Sequence, residues 1–423
     1  MLPSIELTQG TATDGGVSIH RGKHSMTTGS DGHDKSRPAR HPDTDIVHVG
    51  REPFAHHGFV NPPVYRGSTV LFPSLDSFEK RSQRYTYGRR GTPTSEALET
   101  AIARLEGGAR TWLAPSGAAA ITTTFLTFTK AGDHILVADT VYEPTRKLCE
   151  GPLKRFGVET TYYDPLVGAD IARLMRPNTT LVYTESPGSL TFEVQDIPAI
   201  VAAAHAGGAL VAIDNTWASP LYFKPFAHGV DISVQAATKY IVGHADAMLG
   251  SITVTEALAS RLVSGAGDMG ICAGTEEMFL GLRGLRTIGV RLERHWRSGL
   301  DIAAWLQARP EVARVRHPGL PSHPQHALWQ RDFLGASGLF SMVLKPAPKA
   351  AVAAFIDGLK LFGLGASWGG YESLVLPFNA GRIRSATSWQ PEGPTIRLHI
   401  GLEDVADLKA DLEAGFARLA AAS

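Results

Sequence analysis

The sequence reads ALVAIDNTW over residues 209–217 and DISVQAATKY over residues 231–240. Each stretch begins as a short apolar run, which is typical of a strand buried on both faces. Asp214 closes the first run, and Lys239 follows the second one 25 residues later. Because open α/β sheets bind ligands at the carboxyl ends of their strands, these two residues indicate a fold class and a site together.

Lys239 and Asp214 suggest a particular chemistry only as a pair. Alone, Lys239 is consistent with a lysine in water just past a strand, or with a Schiff-base lysine whose amine is desolvated beside a carbonyl cofactor. Asp214 alone is consistent with a turn or capping aspartate. Together they match what pyridoxal phosphate requires, since the lysine holds the cofactor and the aspartate keeps its ring nitrogen protonated.

The flanking sequence alternates between short apolar runs and longer helix-like stretches. This alternation predicts a parallel sheet covered by helices on both faces. The predicted strands are Thr111–Ala114, Ile135–Ala138, Thr180–Thr184, Ala209–Ile213, Ile232–Gln235 and Met248–Val254. The predicted helices between them are Gly117–Phe128, Glu143–Phe156, Ala169–Met175 and Ile197–His205.

The carboxyl-terminal part of the chain predicts a smaller α+β domain. A long helical pattern over Thr275–Ala308 links it to the larger one, and strand-like runs follow at Val312–His317, Gly338–Leu344 and Thr395–Ile400. The last segment has apolar residues on one face of a helix. These residues are Val405, Leu408, Leu412, Phe416 and Leu419.

Composition excludes several classes of protein. The 423 residues carry 41 Lys+Arg and 41 Asp+Glu, so no net charge favours nucleic acid or an acidic membrane as a partner. Two cysteines are too few for a disulfide framework, and no apolar run has the ~20 residues of a membrane span. We therefore expect a cytoplasmic enzyme.

Residues 1–45 differ from the rest, because they are rich in Gly, Ser, Thr, Asp and His and have almost no periodic apolar positions. Such a stretch cannot bury enough apolar surface to order itself, so we expect a disordered amino-terminal extension. Its histidines do not have the spacing of a compact metal site, and we predict no metal. They are His20, His24, His33 and His41.

Small residues follow the first predicted strand, in the run Ala114-Pro-Ser-Gly117-Ala118-Ala-Ala120. A strand that leads through small residues into a helix presents free backbone N–H groups to an anion such as a phosphate. The run is not a P-loop, since no Gly-Lys-Ser/Thr follows. The run Gly365-Ala-Ser-Trp-Gly369 has the Gly-x-Ser-x-Gly sequence of a nucleophile elbow. It is not interpreted as one, because no clear strand precedes it and no helix follows.

Taken together, these motifs resemble the Cys/Met-metabolism pyridoxal phosphate enzymes, the γ-family of trans-sulfuration. The resemblance runs from about Val47 to Leu419 and is closest to the bacterial β-lyases that act on cystathionine. It rests on many motifs in the same order: Tyr87-Gly-Arg89-Arg-Gly-Thr-Pro-Thr94, Pro115–Ala120, Tyr142-Glu-Pro144, Asp164–Gly168, Asp214 in IDNTW, Lys239 in AATKY, Gly243–Met248, Ser367-Trp368-Gly-Gly-Tyr-Glu-Ser373 and Ile396–Asp404.

The resemblance implies an aspartate-aminotransferase-like fold (fold type I), with a mostly parallel, seven-stranded type of central sheet and a smaller carboxyl-terminal α+β domain. Four regions follow: the extension 1–45, an arm 46–100 that contributes to the neighbouring subunit's active site, a cofactor-binding α/β domain 101–295, and the α+β domain 296–423. It further implies a homo-oligomer, a tetramer built from two dimers.

The resemblance also assigns roles to residues. Lys239 carries pyridoxal 5'-phosphate and is the catalytic base, and Asp214 pairs with the ring nitrogen. Tyr142 stacks on the ring and takes part in catalysis. The phosphate is bound by Gly117, Ala118 and the Thr238 hydroxyl, and by Tyr87 and Arg89 from the neighbouring subunit. Arg397 binds the substrate α-carboxylate, bordered by Ser367 and Trp368.

From the residues alone, three of these positions have other readings. Tyr142 is equally consistent with a core aromatic at a helix start, Arg89 with a solvated charge, and Arg397 with an edge-strand arginine in water.

The activity that the resemblance implies is β-cleavage of L-cystathionine to homocysteine, pyruvate and ammonia, in methionine biosynthesis. Two residues depart from the family pattern, because Ala366 and a residue near Gly267 stand where the β-lyases carry tyrosines. This departure leaves open a broader lyase of cystine and cysteine S-conjugates. A γ-acting relative and a non-catalytic regulator that binds the cofactor are the remaining alternatives.

Overall fold

A computed structural model describes the protein from residue 40 to residue 423. Its helices in this range are α1 Pro42–His48, α2 Leu75–Lys80, α3 Pro93–Glu106, α4 Gly117–Phe128, α5 Glu143–Leu148, α6 Ile197–Ala206, α7 Ser219–Tyr222, α8 Glu256–Asp268, α9 Thr275–Leu285, α10 Ile288–Gln307, α11 His326–Asp332, α12 Lys349–Asp357 and α13 Val405–Ala421. Its strands are β1 Arg110–Ala114, β2 His134–Ala138, β3 Glu159–Tyr163, β4 Thr179–Glu185, β5 Leu210–Asp214, β6 Ile232–Gln235, β7 Gly250–Val254, β8 Val312–Arg316, β9 Leu339–Leu344, β10 Gly363–Leu364, β11 Leu374–Phe378 and β12 Thr395–His399.

The larger sheet has seven strands in the order β1-β7-β6-β5-β4-β2-β3. Only β7 runs against the others, since it pairs antiparallel with both β1 and β6. Helices cover both faces. Alternate residues of β1 point to opposite faces, and Trp112 packs into one apolar cluster with α4 and α8 while Leu113 packs into another with α3 and α9. The predicted α/β class with a mostly parallel central sheet is confirmed.

The smaller sheet has five strands in the order β10-β11-β12-β9-β8 and forms the carboxyl-terminal sheet domain. Helices α12 and α13 pack on it through Phe355 and Phe416. Helix α10 belongs to both parts, because Leu292 packs into the cluster beside the larger sheet and Leu306 into the cluster of the smaller one. The predicted boundary at residues 295 and 296 therefore falls inside one continuous helix.

Several predicted elements differ from the structure, each for a local reason. The helix predicted over Thr275–Ala308 is two helices, because Thr287 interrupts it and its hydroxyl bonds the carbonyl of Gly284 at 3.2 Å. The helix predicted over Glu143–Phe156 becomes a π-turn at Cys149–Leu153 around Pro152, which has no N–H to donate. Ala169–Met175 is instead a 3₁₀ turn, Gly168–Leu174.

The amino-terminal prediction needs one correction. Helix α1 begins at Pro42 and buries Ile46, so the first helix lies partly within the stretch 1–45 that was expected to be disordered. His20, His24 and His33 lie outside the described residues. Between residues 40 and 423 no cluster of three metal-ligating side chains occurs. None of the helices in that range combines the length and the apolar character needed to cross a bilayer.

Candidate active site

The predicted site residues meet at one edge of the larger sheet. The parallel strands β1, β6, β5 and β4 all end there, as their register shows: Ala114 pairs with Gly250, Gln235 with Ser251, Asp214 with Val234, and Glu185 with Asp214. The segments that leave these strands therefore converge, as expected for an α/β ligand site.

Asp214 is the last residue of β5 and is buried, with 8% of its surface exposed. Its Oδ1 accepts the backbone N–H of Thr216 at 3.0 Å and the Thr216 hydroxyl. Within residues 40–423 no group donates to its Oδ2. Burial raises the pKa of Asp214, against the lowering effect of the Thr216 hydrogen bonds and of Lys239. One carboxylate oxygen is therefore fixed, and the other can accept a proton-bearing nitrogen.

Lys239 lies in the turn that follows β6, four residues after Gln235, the last residue of the strand. Its Nζ donates to the Ser367 hydroxyl at 2.8 Å and lies 5.4 Å from the centre of the Trp368 ring. Burial, and then the charge of Arg397, lower the pKa of Lys239 to about 8, while Asp214 opposes this shift. A usable fraction of the amine, roughly a tenth at pH 7, is thus unprotonated and nucleophilic.

The predicted phosphate-binding groups lie next to this turn. Ser116 caps α4 by accepting the N–H of Ala119 at 3.1 Å, which leaves the N–H groups of Gly117 and Ala118 in the first turn without helical partners. Gly117 packs so closely that a Cβ there would lie 2.5 Å from the Cβ of Ala236. The Thr238 hydroxyl donates to the carbonyl of Leu249 at 3.1 Å.

Arg397 is a buried cation in the middle of β12, with 8% of its surface exposed. Its Nη2 donates to the carbonyl oxygens of Ala366 at 2.9 Å and Ser367 at 3.1 Å. No carboxylate of residues 40–423 forms an ion pair with it. Burial lowers the pKa of Arg397 to about 10, so it is charged at neutral pH. Such a guanidinium is suited to bind a ligand carboxylate.

Tyr142 is half exposed at the start of α5. Its backbone N–H donates to Glu185 Oε2 at 2.7 Å. Burial, followed by the charges of Glu185 and Asp214, raises the pKa of the Tyr142 phenol. Its accessible ring at the edge that holds Asp214 is free to lie against a planar ligand.

Tyr87 and Arg89 do not join the other residues within one chain. Tyr87 is 46% exposed and lines an open cavity with Thr69, Leu71 and Phe78. Arg89 donates to the carbonyl of Gly267 near the end of α8. No hydrogen bond within residues 40–423 connects either residue to Lys239, Asp214 or Arg397.

Two carboxylates at the same edge were not predicted. Glu185 ends β4, and burial, together with the neighbouring charge of Asp214, raises its pKa well above the ordinary range. Asp139 directly follows β2 and accepts hydrogen bonds from Arg146 and from the segment 385–387. The rule that singled out Asp214, a carboxylate at the carboxyl end of a buried strand, applies to both and could have identified them.

Comparisons with known proteins show which family the chain belongs to. The family described as "Cys/Met metabolism PLP-dependent enzyme" matches residues 43–417. A Rhizobium johnstonii protein, provisionally named a cystathionine beta-lyase, is 56% identical over 382 residues, which cover 89% of this chain and 96% of the relative. Cystathionine beta-lyase MetC of Escherichia coli is 46% identical over 388 residues, which cover 89% and 98%.

Solved structures include cystathionine gamma-lyase from Lactobacillus plantarum in complex with L-serine. It superposes with a TM-score of 0.84 at 32% identity, over 90% of this chain and all of that one. The residues that the family matches, 43–417, include both sheets. The chain therefore belongs to the Cys/Met metabolism PLP-dependent enzymes.

Proposed function

We propose that this protein is a carbon–sulfur β-lyase that cleaves L-cystathionine to homocysteine, pyruvate and ammonia, in the service of methionine biosynthesis. The observation that carries the proposal is Arg397, a buried guanidinium that has no carboxylate partner in the described chain. It bonds the backbone of Ser367, whose hydroxyl in turn contacts the Lys239 amine. The cystathionine beta-lyase names of the relatives from E. coli and R. johnstonii support the β-cleaving reaction.

The residues present fit pyridoxal 5'-phosphate, the cofactor of the family. The free Oδ2 of Asp214 suits a protonated ring nitrogen, and the amine of Lys239 suits the aldehyde. The first-turn N–H groups of Gly117 and Ala118 suit the phosphate, and the Thr238 hydroxyl would join them by exchanging its bond to the Leu249 carbonyl for one to the phosphate. When bound, the cofactor supplies an electron sink that acidifies the α-proton of an amino acid.

The side chains then divide the work. Arg397 binds the α-carboxylate in a bidentate manner and so orients the α-carbon towards Lys239. Lys239 removes the α-proton as an amine, which its lowered pKa makes available near neutral pH. Asp214 keeps a proton on the ring nitrogen, Ser367 holds the lysine Nζ, and Tyr142 and Trp368 border the ring and the substrate. The homocysteine thiolate leaves from the β-carbon.

We further propose that two subunits share each site and that dimers pair into a tetramer. The arm 46–100 exposes large apolar side chains that water disfavours, among them Phe54 at 97% and Leu71 at 85%. Tyr87 and Arg89, which reach no other site residue in their own chain, would then bind the phosphate of the neighbouring subunit. A cytoplasmic location remains a prediction from composition.

Product analysis tests the reaction. Purified holoenzyme with L-cystathionine should yield homocysteine and pyruvate in equal amounts, whereas γ-cleavage would yield cysteine.

The cofactor-binding lysine is tested separately. Borohydride reduction should attach the cofactor covalently to the protein, and peptide mapping should find it on the peptide that contains Lys239. Lys239→Ala should abolish turnover, and the exposed Lys154→Ala should not. Cysteine as the main product, or a loaded enzyme that forms no keto acid from any thio-amino acid, would overturn the proposal.

A further inference from the structure

The segment Ala366–Gly370 is held from one face of β12. Arg397 and His399 are two residues apart in that strand, so both side chains point to the same face. Arg397 holds the carbonyl oxygens of Ala366 and Ser367, and the Nε2 of His399 lies 3.1 Å from the backbone nitrogen of Gly369. Two neighbouring side chains of one strand thus fix the segment at both ends.

The same segment rests on Lys239. Gly369 has φ = +86°, and a Cβ at this position would lie 2.9 Å from the Cα of Lys239, so only glycine fits the backbone here. Ser367 contacts the lysine Nζ at 2.8 Å, and the Trp368 ring lies 5.4 Å from it. Any shift of the segment therefore moves the groups that surround the reactive amine.

The contact with Gly369 determines the protonation of His399. The imidazole is fully buried, and burial together with the neighbouring His295 lowers its pKa well below the ordinary value, so the ring is neutral. Its Nε2 also lies 3.2 Å from the carbonyl oxygen of Gly370, but one nitrogen cannot accept and donate at once. Acceptance from Gly369 pairs a buried amide and requires the ring proton on Nδ1, whereas donation to Gly370 would leave that amide unpaired.

The far side of His399 faces two buried rings. The rings of His295 and Tyr240 lie 5.2 and 6.2 Å from that of His399. His295 Nδ1 bonds the carbonyl of Ile400 at 2.8 Å. His295 Nε2 and His399 Nδ1 are buried without a hydrogen-bond partner in the described chain. No strong bond on that side competes with the bond to Gly369.

We propose that His399 is a positioning residue, which holds Ser367 and Trp368 against Lys239 through the N–H of Gly369 while Arg397 engages a substrate carboxylate. The inference rests on the proposed function for that carboxylate. A guanidinium has five N–H groups, and Nη2 alone holds Ala366 and Ser367, so the N–H groups of Nη1 and Nε remain for a bidentate carboxylate. His399 fixes the other end of the segment, at Gly369.

The test compares His399→Gln with His399→Leu in the holoenzyme. A glutamine oxygen can reach the position of Nε2 and accept from Gly369, whereas leucine fills similar space without an acceptor. L-alanine, which has no β-leaving group, is titrated against the cofactor absorbance to give its dissociation constant. We expect a roughly tenfold weaker affinity and a shifted pH transition of the absorbance for the leucine variant, and values within about threefold of wild type for the glutamine variant.

His295→Leu is the matched control, because it removes the buried histidine next to His399 but not the bond to Gly369. It should retain the wild-type affinity for L-alanine. A loaded leucine variant that binds L-alanine as the wild type does, or a His295→Leu variant that is equally impaired, would overturn the proposal. Neither readout requires cleavage of cystathionine, so failure here is distinct from failure of the proposed function.

A measurement on the wild-type holoenzyme does not depend on the folding of any variant. Neutron diffraction locates the imidazole hydrogen directly. We expect deuterium on Nδ1 of His399 and on the Gly369 nitrogen, directed at Nε2. Deuterium on Nε2 of His399 would exclude the bond from Gly369 and would refute the positioning role.

Discussion

At the scale of single residues, the site is organised by charges that lack their usual partners. Arg397 has no carboxylate partner in the described chain, one oxygen of Asp214 has no donor there, and Lys239 has a pKa lowered to about 8. Each of these groups costs free energy to bury in the cofactor-free protein. A ligand that supplies the missing partner, a carboxylate for Arg397 or a protonated nitrogen for Asp214, offsets this cost. The unpaired groups therefore contribute to the affinity for cofactor and substrate.

The lowered pKa of Lys239 predicts how the stability of the cofactor-free protein depends on pH. The folded pKa of about 8 lies below the ordinary 10.5, so the unfolded chain binds more protons between these values. The burial penalty is therefore complete below pH 8 and disappears as the pH rises towards 10.5. Lys239→Met should be more stable than wild type at pH 7, with an advantage that shrinks from pH 8 upwards.

Urea unfolding of both proteins across this range measures the difference. Lys154→Met, at an exposed position, is the control and should show no such trend. An advantage of Lys239→Met that is the same at pH 7 and pH 10 would contradict the lowered pKa.

Ala366 predicts the substrate range. Its side chain is exposed while its carbonyl is held by Arg397, so there is room for a larger residue next to the carboxylate-binding group. Ala366→Tyr should raise the preference for cystathionine over cystine by roughly 5- to 150-fold, the range for one regained hydrogen-bonding group. The effect should fall mainly on KM, because a hydrogen bond to the distal part of cystathionine is made equally in the bound substrate and in the transition state.

The measurement is kcat/KM for both substrates in both proteins, and an unchanged ratio would show that residue 366 does not set specificity.

Gly267, the second position that departs from the family pattern, does not lie beside Arg397. A Cβ there would lie 1.9 Å from Arg90 Nη1, and its carbonyl is bonded by Arg89. Within one chain it thus lies with the arm residues, and we expect it to matter at the neighbouring subunit's site.

The sequence predicted part of this site from local pattern and part only from resemblance. Asp214 and Lys239 follow short apolar runs, and the strand-end rule brings them together without further information. Arg397 is 158 residues beyond Lys239 in the other sheet, and no periodicity connects them. The His399–Gly369 contact depends on one backbone amide in a loop, which sequence pattern does not reveal.

At the scale of elements, one of the contacts between the two sheets is made by the buried carboxylate of Asp139. Asp139 accepts the N–H groups of Ser385 at 3.0 Å, Ala386 at 3.1 Å and Thr387 at 2.8 Å, as well as the guanidinium of Arg146. These three donors lie between β11 and β12 of the smaller sheet, whereas Asp139 follows β2 of the larger one. This cluster ties the strand of Arg397 to the edge that carries Tyr142.

Asp139 predicts acid sensitivity of this junction. Burial alone would raise its pKa, but the hydrogen bonds from Ser385 and Thr387 outweigh burial and lower it. A folded pKa below the unfolded one stabilises the fold above the ordinary value of ~3.9, and that stabilisation is lost as the pH falls towards the lowered pKa. Asp139→Asn should therefore lower the free energy of unfolding by about 3 kcal/mol at neutral pH and by less in acid.

Urea unfolding at pH 7 and at successively lower pH tests this expectation. Asp411→Asn is a matched control, since Asp411 also accepts two backbone N–H groups, those of Lys360 and Leu361, but lies away from the junction. A destabilisation by Asp139→Asn that does not diminish below pH 4 would show that the charge of Asp139 is not the cause.

The sequence predicted a helix or strand with correct bounds where the apolar pattern begins and ends at the same residues as the element. Helix α4 and strand β6 have the predicted bounds, since Ser116 caps the one and a buried run of four residues forms the other. Strand β3 was missed because it is an edge strand of mixed polarity. Strand β11 was missed because Pro377 argues against a strand, although the proline is tolerated in this short, partly exposed one.

At the scale of the whole molecule, the arm is the part that a single chain does not explain. Between Pro53 and Phe78 the exposed fractions reach 97% for Phe54, 72% for Phe59 and 70% for Leu75. Exposed large apolar side chains concentrated in one segment are typical of an interface between subunits. The cavity beside Tyr87 lies in the same region, so the surface and the second half of the proposed site coincide.

A shared site predicts that two inactive variants restore activity when mixed. Lys239→Ala and Arg89→Ala should each be inactive, but in a mixed dimer the site with an intact Lys239 receives an intact Arg89 from the other subunit. Random reassociation of equal amounts makes half of the dimers mixed, each with one complete site. We therefore expect roughly a quarter of the wild-type activity.

The control is a mixture of Lys239→Ala with Arg397→Ala. Arg397 contacts Ser367, which contacts Lys239, all within one chain, so both groups of a site come from the same subunit. In a mixed dimer of these variants every site lacks one of the two, and no activity should return. Verified mixed dimers that stay inactive in the first mixture, or that recover equally in both, would mean that Arg89 does not act across the interface.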